Sequence, residues 1–501
     1  NEEYTTVFIR ELGDMYAWMS YYDKAISIYT SALETNPEDV DSRLSLARAR
    51  AFRGDIKAAH AEYDTILAKD PSSVPALLGK ADAYTMKDKL GAAGDLLDKV
   101  QELEPGNIDA LNMRARIMVW QGYHRKGVAL YKEILELYPE NIEALEGLAF
   151  GLHWADRDPE AFDVLERIFM MKPSRTESRK LMARIRNARR PYVEAYGKYT
   201  DDSNPRTTLE YGASVGSLVT DYLDLEARYG RRTTEEKEED NEDLDADIYG
   251  ISSELHITRS LILDLDLALA DFKQTDWQEF FVDASVIWQA LDVIKLDAGY
   301  ERDTVNSIDA ITDELIQESV NARIKWRPDR MWLFSAKQEY GEYSDDNKKD
   351  TTLLIGEFRV KQTPYLKLYY NYYRGEWDEE VDGYFSPLEF YSQTLGAFLS
   401  KRFSSKQYGY IQGSRGQEHH GKGDHVHVPN YYIAGGYLYR LGNNWKLQID
   451  ASYFDSESDD AKDHDAYRET AVWASISRSF GGYVGKAIEP EVQPTPVPEN
   501  R

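Results

Sequence analysis

The chain from Tyr192 to Phe480 consists of segments of roughly ten residues, each alternating apolar and polar side chains, the pattern of membrane-spanning strands. In residues 261–269, leucines occupy alternate positions, and Asp264 and Asp266 lie between them. Successive side chains of a strand point to opposite faces, so one face of this segment is apolar and the other is polar. Repetition of this pattern predicts a transmembrane β-barrel with lipid outside and water inside.

Sixteen segments follow this pattern, and bacterial single-chain barrels have an even number of strands. They are residues 192–200, 207–219, 221–232, 246–258, 260–273, 279–291, 293–303, 315–326, 331–343, 351–361, 365–376, 391–403, 407–416, 430–440, 445–456 and 467–480. The connections after even-numbered segments are short. Most of those after odd-numbered segments are long and polar, namely 233–245, 304–314, 344–350, 377–390, 417–429 and 457–466.

This parity of connection lengths predicts an orientation. Outer-membrane barrels have short periplasmic turns and long external loops, so the residues ahead of the first strand are expected in the periplasm. A large soluble β-sandwich or propeller is the alternative, but a sandwich does not require such regular parity.

If the apolar face meets lipid, the polar face lines the lumen. Its predicted acidic residues are Glu210, Asp224, Glu226, Glu254, Asp264, Asp266, Asp283, Asp297 and Glu301 on the early strands, and Asp450 later in the chain. The middle and late strands add Arg323, Lys325, Lys337, Arg359, Lys367 and Lys446, together with Tyr369, Asn371 and Tyr373. The lumen is therefore expected to be acidic on one wall and more basic on the other.

Two interpretations of this lining are open. Opposite charges can pair across a lumen and stiffen the barrel, and a sixteen-strand barrel is wide enough to hold water in either case. Alternatively, the carboxylates, Asn371 and the tyrosine rings form a track along which a glycan chain slides. Paired carboxylates such as Asp264 and Asp266 resemble acid–base dyads only by their proximity in sequence.

The first 190 residues have a different period. Prolines stand 34 residues apart, at Pro37, Pro71, Pro105, Pro139 and Pro173. Thirty-four residues is the tetratricopeptide period, and small residues recur where the paired helices of such repeats approach closely. These are Gly13, Ala47, Ala81, Ala115 and Ala149 in the first helices, and Ala25, Ala59, Ala93, Gly127 and Ala161 in the second. Such arrays present a concave surface to a partner, although a rigid spacer is an equal alternative.

The pattern predicts an α + β multidomain fold, in which a tetratricopeptide α-solenoid precedes a 16-stranded antiparallel transmembrane β-barrel. Residues 1–173 form five periplasmic repeats, 174–191 a capping helix and linker, 192–480 the barrel, and 481–501 a proline-rich tail. Leu181, Met182 and Ile185 give the capping helix an apolar side that is expected to seal the last groove of the array.

Composition narrows the functional classes. The net charge of −28 argues against nucleic acid or anionic headgroups as partners. The absence of cysteine excludes disulfides and thiolate metal sites. Aromatic residues make up 12% of the chain, which fits the aromatic girdles of a membrane barrel. No run of about 18 apolar residues is present, so no transmembrane helix is expected.

Candidate chemistry is sparse. His419, His420, His425 and His427 crowd one external loop, but their spacing is not that of a defined metal site, so a flexible polar loop is the favoured interpretation. No phosphate-binding glycine loop, zinc-protease helix or nucleophile elbow occurs in the sequence. We therefore expect no enzyme activity and no cofactor. The chain opens on polar residues without a signal peptide, as a mature or trimmed chain does, and upstream repeats are compatible with that start.

Repeats joined directly to a sixteen-strand barrel resemble the bacterial exopolysaccharide export porins of the cellulose (BcsC) and poly-N-acetylglucosamine (PgaA) types, and more weakly the YaiO type. Gly383, Tyr384, Phe385, Ser386 and Pro387 resemble the G-Y-[FY]-S-P segment that leads from an external loop into a strand in the cellulose type. The alternative interpretation of this segment is structural: Pro387 ends the loop, and the rings of Tyr384 and Phe385 sit at the membrane interface. The arrays of that family are usually longer than five repeats.

The resemblance implies an outer-membrane porin that conducts a polysaccharide chain outward, while periplasmic repeats bind the polymer, periplasmic proteins or subunits of an inner-membrane synthase. A non-transporting outer-membrane scaffold or adhesin with a plugged barrel is the alternative. A non-specific diffusion porin is disfavoured because such porins do not need a repeat array.

Overall fold

The computed structural model describes residues 2–203, 206–236, 243–305, 307–381, 384–420, 427–442, 444–456 and 467–480. It divides into two compact units, Asn1–Arg175 and Thr176–Arg501. The first unit is helical and the second contains the strands. The proline-rich tail lies outside the described residues.

The first unit consists of five helix pairs. The helices are α1 (Glu2–Trp18), α2 (Tyr22–Thr35), α3 (Val40–Arg53), α4 (Ile56–Lys69), α5 (Val74–Thr85), α6 (Leu90–Leu103), α7 (Ile108–Trp120), α8 (His124–Leu137), α9 (Ile142–Trp154) and α10 (Asp158–Met171). The second helix of each pair ends two residues before one of the regularly spaced prolines, because proline cannot continue the hydrogen-bond ladder. The predicted tetratricopeptide repeats are confirmed.

Side chains fix the ends and the contacts of these helices. Asp39, Asn107 and Asn141 accept hydrogen bonds from backbone amides in the first turns of α3, α7 and α9. The small residues predicted at helix contacts are buried, as are the large residues Tyr29, Tyr63, Leu97, Tyr131 and Leu165 that pack beside them. Burial raises the pKa of Tyr63 to about 12, so its hydroxyl stays protonated in the core of the repeats.

The second unit is a closed antiparallel barrel, which confirms the predicted fold. Its strands are β1 (Tyr192–Asp202), β2 (Arg206–Thr220), β3 (Leu223–Glu236), β4 (Leu244–Thr258), β5 (Leu261–Phe272), β6 (Trp277–Leu291), β7 (Ile294–Thr304), β8 (Ile316–Trp326), β9 (Trp332–Tyr343), β10 (Lys348–Gln362), β11 (Tyr365–Trp377), β12 (Glu389–Ser404), β13 (Gln407–His420), β14 (His427–Leu441), β15 (Trp445–Ser456) and β16 (Tyr467–Ser479). Each strand pairs with its sequence neighbours, and β1 pairs with β16 from Tyr192↔Ser479 to Asp202↔Glu469.

A helix precedes the barrel and belongs to the second unit. α11 (Thr176–Ala188) buries Leu181 and Ile185, as the sequence pattern predicts. After it, an Arg189 guanidinium nitrogen lies 2.8 Å from an Asp221 carboxylate oxygen. Arg190 donates a hydrogen bond of 3.2 Å to the Asn444 side chain. Both partners stand at short connections, so the linker is held at the short-turn end of the barrel. The proposed sealing of the repeat array by this helix stays a prediction.

The strands differ from their predicted limits mainly at the end that bears the longer connections. β3 extends to Glu236 and β13 to His420, and the connection between β9 and β10 is only 344–347. Register shifts occur at the opposite end of β2, β4, β6, β10 and β12, beside the short turns. Bulges increase the local twist and bend a strand, which suits the rim of a barrel.

The outer face of the barrel carries two aromatic belts. Trp288, Trp326, Trp332, Phe403 and Trp445 are exposed near the short turns. Tyr211, Tyr229, Tyr249, Tyr340 and Tyr431 are exposed toward the other end. Trp332 and Tyr340 are eight positions apart in β9, which corresponds to about 20 Å along the barrel axis at a typical strand tilt. Two belts at that separation match the two interfaces of an outer membrane.

The close approach of α7 and α8 yields a stability prediction. A Cβ atom at Gly127 is 2.3 Å from Val119 Cγ2, whereas a Cβ at Gly94 of α6 meets no atom within 4 Å. We expect Gly127→Ala to lower the free energy of unfolding of the repeats by about 1–3 kcal/mol through overpacking. Gly94→Ala is the matched control and should raise it by about 0.4–1 kcal/mol, since alanine restricts the unfolded chain.

The measurement is urea unfolding of the detergent-solubilised chain, followed by circular dichroism at the helix band. Equal midpoints for the two variants would contradict the helix packing described for α7 and α8.

Candidate functional site

Strand register places every predicted lumen residue on one face of the barrel. Directly paired residues share a face, and Glu226, Ser252, Asp266, Asp283 and Glu301 form one such row across β3–β7. The same face carries the other predicted path residues, Glu210, Asp224, Glu254, Asp264, Asp297, Tyr369, Asn371, Tyr373 and Asp450. The opposite face holds the exposed apolar side chains and the two aromatic belts.

Contacts that skip a strand identify the shared face as the concave one. Arg228 of β3 reaches over β4 to the Asp266 carboxylate of β5, with a Nη2–Oδ1 distance of 2.6 Å. The Tyr410 hydroxyl of β13 likewise donates to Asp450 of β15 at 2.6 Å. Curvature brings alternate strands together on the inside of a cylinder and separates them on the outside. The acidic and aromatic residues of the shared face therefore line the lumen.

Part of the lumen charge is neutralised by ion pairs. Arg232 lies 3.3 Å from Glu210, both Lys337 and Lys349 lie 2.8 Å from Glu339, and the Lys367 ammonium lies 2.5 Å from Glu357. Sequence reasoning missed the inward positions of Arg228, Arg232, Glu339 and Glu357, although each has the correct parity in its strand. The two walls are therefore less cleanly divided into acidic and basic than expected.

Other carboxylates on the acidic wall face the lumen without such neutralisation. In the part of the chain that the structure describes, Asp224, Asp264 and Asp283 make no ion pair with a basic side chain. Around the wall, Asp264 of β5 lies between Asp224 of β3 and Asp283 of β6, and strand register places all three on the inner face. Carboxylates that line a pore favour cations and neutral groups that can donate hydrogen bonds.

The aromatic wall is closely packed. Tyr369 is 5% exposed, and Gly396 opposite it leaves room for the ring, since a Cβ there is 2.2 Å from the Tyr369 Cζ. The Lys367 ammonium lies 5.9 Å from the centre of the same ring. Tyr373 packs on Phe390 with ring centres 5.8 Å apart. These residues form a closely packed wall on strands that face the acidic one across the lumen.

The connection between β7 and β8 corrects one expectation. Residues 304–314 were expected to form a polar external loop, but they include a short helix, α12 (Ile308–Thr312), that packs onto the inner face of the barrel. Ala310 and Ile311 are 3% and 4% exposed. Ser307 caps the helix by accepting a 3.0 Å hydrogen bond from the Ala310 amide. This packing is not predicted by the local sequence, because the apolar residues of the connection contact residues that lie far away in the chain.

This connection joins two walls of the barrel. Ile311 belongs to an apolar cluster with inner-face residues of β4, β5 and β6, including Ala270, Phe272 and Trp277. Ala310 and Leu315 belong to a second cluster that contains Tyr343, Trp377 and Phe390 of β9, β11 and β12. The end of the lumen with the longer connections is therefore crossed by an apolar constriction.

The segment 384–387 lies beside this constriction, whereas Gly383 is outside the described residues. The Tyr384 ring packs on Tyr343 with centres 4.9 Å apart, and its hydroxyl donates to Asp345 at 2.8 Å. Phe385 makes an edge contact with Trp377 at 5.8 Å. Ser386 and Pro387 are buried. The alternative interpretation, in which Tyr384 and Phe385 sit at the membrane interface, does not fit the structure, because both rings pack on aromatic residues of the inner-face cluster.

The histidine cluster is only partly described. His419 is 4% exposed and stacks on Tyr391 with ring centres 4.6 Å apart, which is a packing role. His425 lies outside the described residues, as do the side chains of His420 and His427. Among the described side chains, no group of three or more potential ligands converges on a metal position.

The repeat unit carries a second candidate surface. A large apolar residue lies at or next to the end of the first helix in each repeat. These residues recur every 34 positions and are Trp18, Phe52, Met86, Trp120 and Trp154. Trp18 is 87% exposed, Phe52 50% and Met86 40%. Phe52 stacks on Tyr22 at 5.8 Å, and Trp154 lies 6.2 Å from His124. This helix-end stripe is an apolar, largely aromatic row along one side of the array.

Comparisons with known proteins gave matches to one family model and to solved structures. The tetratricopeptide repeat family matches residues 21–75 and 53–117. A solved bacterial polysaccharide outer membrane secretin is 13% identical over 58% of this chain and 99% of its own, with a TM-score of 0.49. A thermophilic repeat protein from Thermus thermophilus is 21% identical over 36% of this chain and 98% of its own, with a TM-score of 0.34. No match was found among curated protein sequences.

Tetratricopeptide repeats and a closed sixteen-strand barrel occur here in one chain. This combination resembles the architecture of the repeat-plus-barrel export porins. The lumen is the candidate functional site of the barrel, and the repeats are interaction modules. No helix in the described ranges has both the length and the apolar character needed to cross a membrane.

The assignment of the two faces of the barrel yields a second prediction. Leu265 and Asp264 are neighbours in β5, with Leu265 on the outer face and Asp264 on the inner face. We expect Leu265→Arg to destabilise the barrel in a bilayer by about 2–4 kcal/mol, because it places a charge among lipid chains. Asp264→Arg is the matched control and should cost far less, because its side chain meets water.

The measurement is the urea dependence of barrel folding in phosphatidylcholine vesicles, read by the change in gel mobility of the unheated protein. A larger loss for Asp264→Arg than for Leu265→Arg would reverse the assignment of the two faces.

Proposed function

We propose that this chain is an outer-membrane porin that exports an exopolysaccharide chain through its polar lumen, with periplasmic repeats that dock the polymer or partner proteins. The observation that carries the proposal is the union of a repeat array with a closed barrel whose inner face bears polar residues on every wall. A porin for small solutes has no use for such an array, whereas a polymer arriving from the inner membrane needs guidance across the periplasm.

The lumen chemistry supports a neutral or partly cationic glycan, such as a cellulose-like or poly-N-acetylglucosamine-like polymer. Asp224, Asp264 and Asp283 can accept hydrogen bonds from sugar hydroxyls and can attract amino groups of a partly deacetylated chain. Tyr373 and Asn371 on the facing strands add ring and amide contacts. An anionic polymer is disfavoured because these carboxylates, and the net charge of −28, repel it.

The proposed direction of transport rests on the connections. Short turns at one end and longer connections at the other support a periplasmic position for the repeats and an external position for the constriction. The helix-end stripe supports docking, since exposed rings such as Trp18 can stack on sugar rings or bind apolar residues of a synthase subunit. Subunits of an inner-membrane synthase are therefore the proposed partners.

The proposed role contains no chemical step. Both parts of the chain have folds that resemble those of non-enzymatic transport proteins. Chain extension by the synthase supplies the driving force, and the barrel supplies a hydrated path. The carboxylates of the acidic wall serve as binding groups and not as acid–base pairs.

The apolar constriction supports a porin that rests closed. Ile311 and Leu315 hold the β7–β8 connection between two walls, so the arriving polymer has to displace it. The same packing favours the second candidate function, a plugged barrel that serves as a scaffold or adhesin. The two candidate functions differ in one property: a porin conducts ions once this packing is lost, and a scaffold does not.

Conductance separates these candidates. We expect Ile311→Asp to raise the open-state conductance and open time of the barrel in a planar bilayer, because a buried carboxylate cannot stay in an apolar cluster. Thr312→Asp adds the same charge at an exposed neighbouring position and should leave the barrel as closed as the parent. Closed channels in both variants, with the barrel folded, would favour the scaffold.

Deletion of the gene tests the transport role in the cell. Surface glycan should be lost, while isolated membranes keep full synthase activity, because polymerisation precedes the outer membrane step. Re-expression of the parent chain is the control and should restore the surface glycan. Normal surface glycan in the deletion strain would contradict the proposal.

A further inference from the structure

A groove runs along the outer face of the barrel across β11–β15. It has a volume of about 690 Å³ and is walled by Leu368, Leu395, Leu399, Ile411, Ile433 and Tyr453. Ala397 and Gly413 are directly paired on neighbouring strands and form its floor. Small residues beside large ones leave a depression between the surrounding side chains.

The walls of the groove are apolar and exposed. Leu395 is 65% exposed, Ile411 51% and Ile433 52%. In a bilayer such side chains face acyl chains, and an acyl chain makes more contacts in a depression between them than on a flat surface. The groove therefore favours an apolar occupant.

Arg415 stands at the end of the groove nearer the longer connections. It lies on the outer face, paired with Leu395 on one side and Tyr431 on the other. Its guanidinium carbon is 5.3 Å from the centre of the Tyr431 ring, a cation–π contact. Arg415 is eight positions from Gln407 at the short turn, which corresponds to about 20 Å along the barrel axis. This depth is that of the headgroup side of the outer leaflet.

Other outward arginines at this end of the barrel have carboxylate partners. Arg231 lies 2.7 Å from Asp245, Arg302 lies 3.1 Å from Glu318, and Arg468 lies 3.6 Å from Asp455. Arg374 pairs with Glu376. Arg415 makes no ion pair with any residue in the described ranges. The net charge of −28 argues against anionic headgroups as partners of the chain as a whole, but at this end of the barrel Arg415 differs from these four arginines, since no carboxylate of the described ranges neutralises it. A bound anion would supply the missing negative charge.

We propose that this groove binds one phosphate-bearing lipid of the outer leaflet, with an acyl chain between Leu395, Ile411 and Ile433 and a phosphate on Arg415. A guanidinium forms strong paired hydrogen bonds with phosphate oxygens, and these bonds strengthen near the low-dielectric bilayer. The proposal requires the barrel to stand in an outer membrane but not that it exports a glycan.

A second copy of the chain fits this surface less well. A twofold axis along the membrane normal brings the two copies of Arg415 to the same depth on facing surfaces, where like charges repel each other. A lipid phosphate supplies the missing negative charge and also fills the groove.

Native mass spectrometry of the full chain tests the proposal. The chain is reconstituted in phosphatidylcholine nanodiscs that contain bis-phosphorylated hexa-acyl lipid A, and the lipid retained on each barrel is counted after release. We expect one retained lipid A on the parent chain. Arg415→Gln should weaken retention roughly tenfold, the effect of losing about 1.4 kcal/mol of binding free energy. Gly413→Leu, which fills the groove while keeping the charge, should lower retention to a similar extent.

Two controls make each outcome decisive. Arg231→Gln removes an outward arginine that already has carboxylate partners and should leave retention unchanged. Dephosphorylated lipid A should be retained as weakly by the parent chain as phosphorylated lipid A is by Arg415→Gln. Equal retention by the parent chain and Arg415→Gln would overturn the proposal. So would a lipid-free dimer of the parent chain that Gly413→Leu converts to a monomer.

None of these outcomes alters the export proposal, which is tested separately by conductance and by surface glycan.

Discussion

Closure of the sheet is the constraint on which the rest of the structure depends. In hydrocarbon an unpaired backbone amide costs several kcal/mol, so a strand edge cannot be left open to lipid. Pairing of β1 with β16 removes the last edge. Once the sheet is closed, the period of two assigns every side chain to water or to lipid. The two aromatic belts outside and the carboxylates inside are consequences of that single condition.

The closed cylinder also explains how charge and packing are distributed in the lumen. Curvature allows Arg228 to reach Asp266 over an intervening strand, so ion pairs stiffen one part of the wall. Asp264 and Asp283, without such pairs in the described part of the chain, form an acidic wall that faces the lumen. At the mouth, inner-face rings such as Trp277 and Trp377 replace carboxylates, and Ile311 and Ala310 fill the space between them. A polar path and an apolar closure are thus built from the same alternating strands.

Local patterns were sufficient to predict both parts of the chain. The 34-residue proline spacing predicted the repeats, and alternation in segments such as 261–269 predicted the strands and the inner face. The same alternation also places Arg232 and Glu339 on the inner face, although they are not among the predicted lumen residues. The inward position of α12 could not be predicted from local patterns, because Ile311 packs on residues of β4, β5 and β6. Leu244 of this cluster precedes Ile311 by 67 positions. Contacts between residues so far apart in the chain do not produce a periodic pattern in the sequence.

Thiol accessibility along one strand tests the central claim most directly, and the chain contains no cysteine that would interfere. Single cysteines are placed at Leu263, Asp264, Leu265, Asp266 and Leu267 of β5, and the protein in phospholipid vesicles is treated with a charged thiol reagent. A closed cylinder with water inside predicts fast labelling at Asp264 and Asp266 and little labelling at the three leucine positions. Uniform labelling, or faster labelling at the leucine positions, would contradict it.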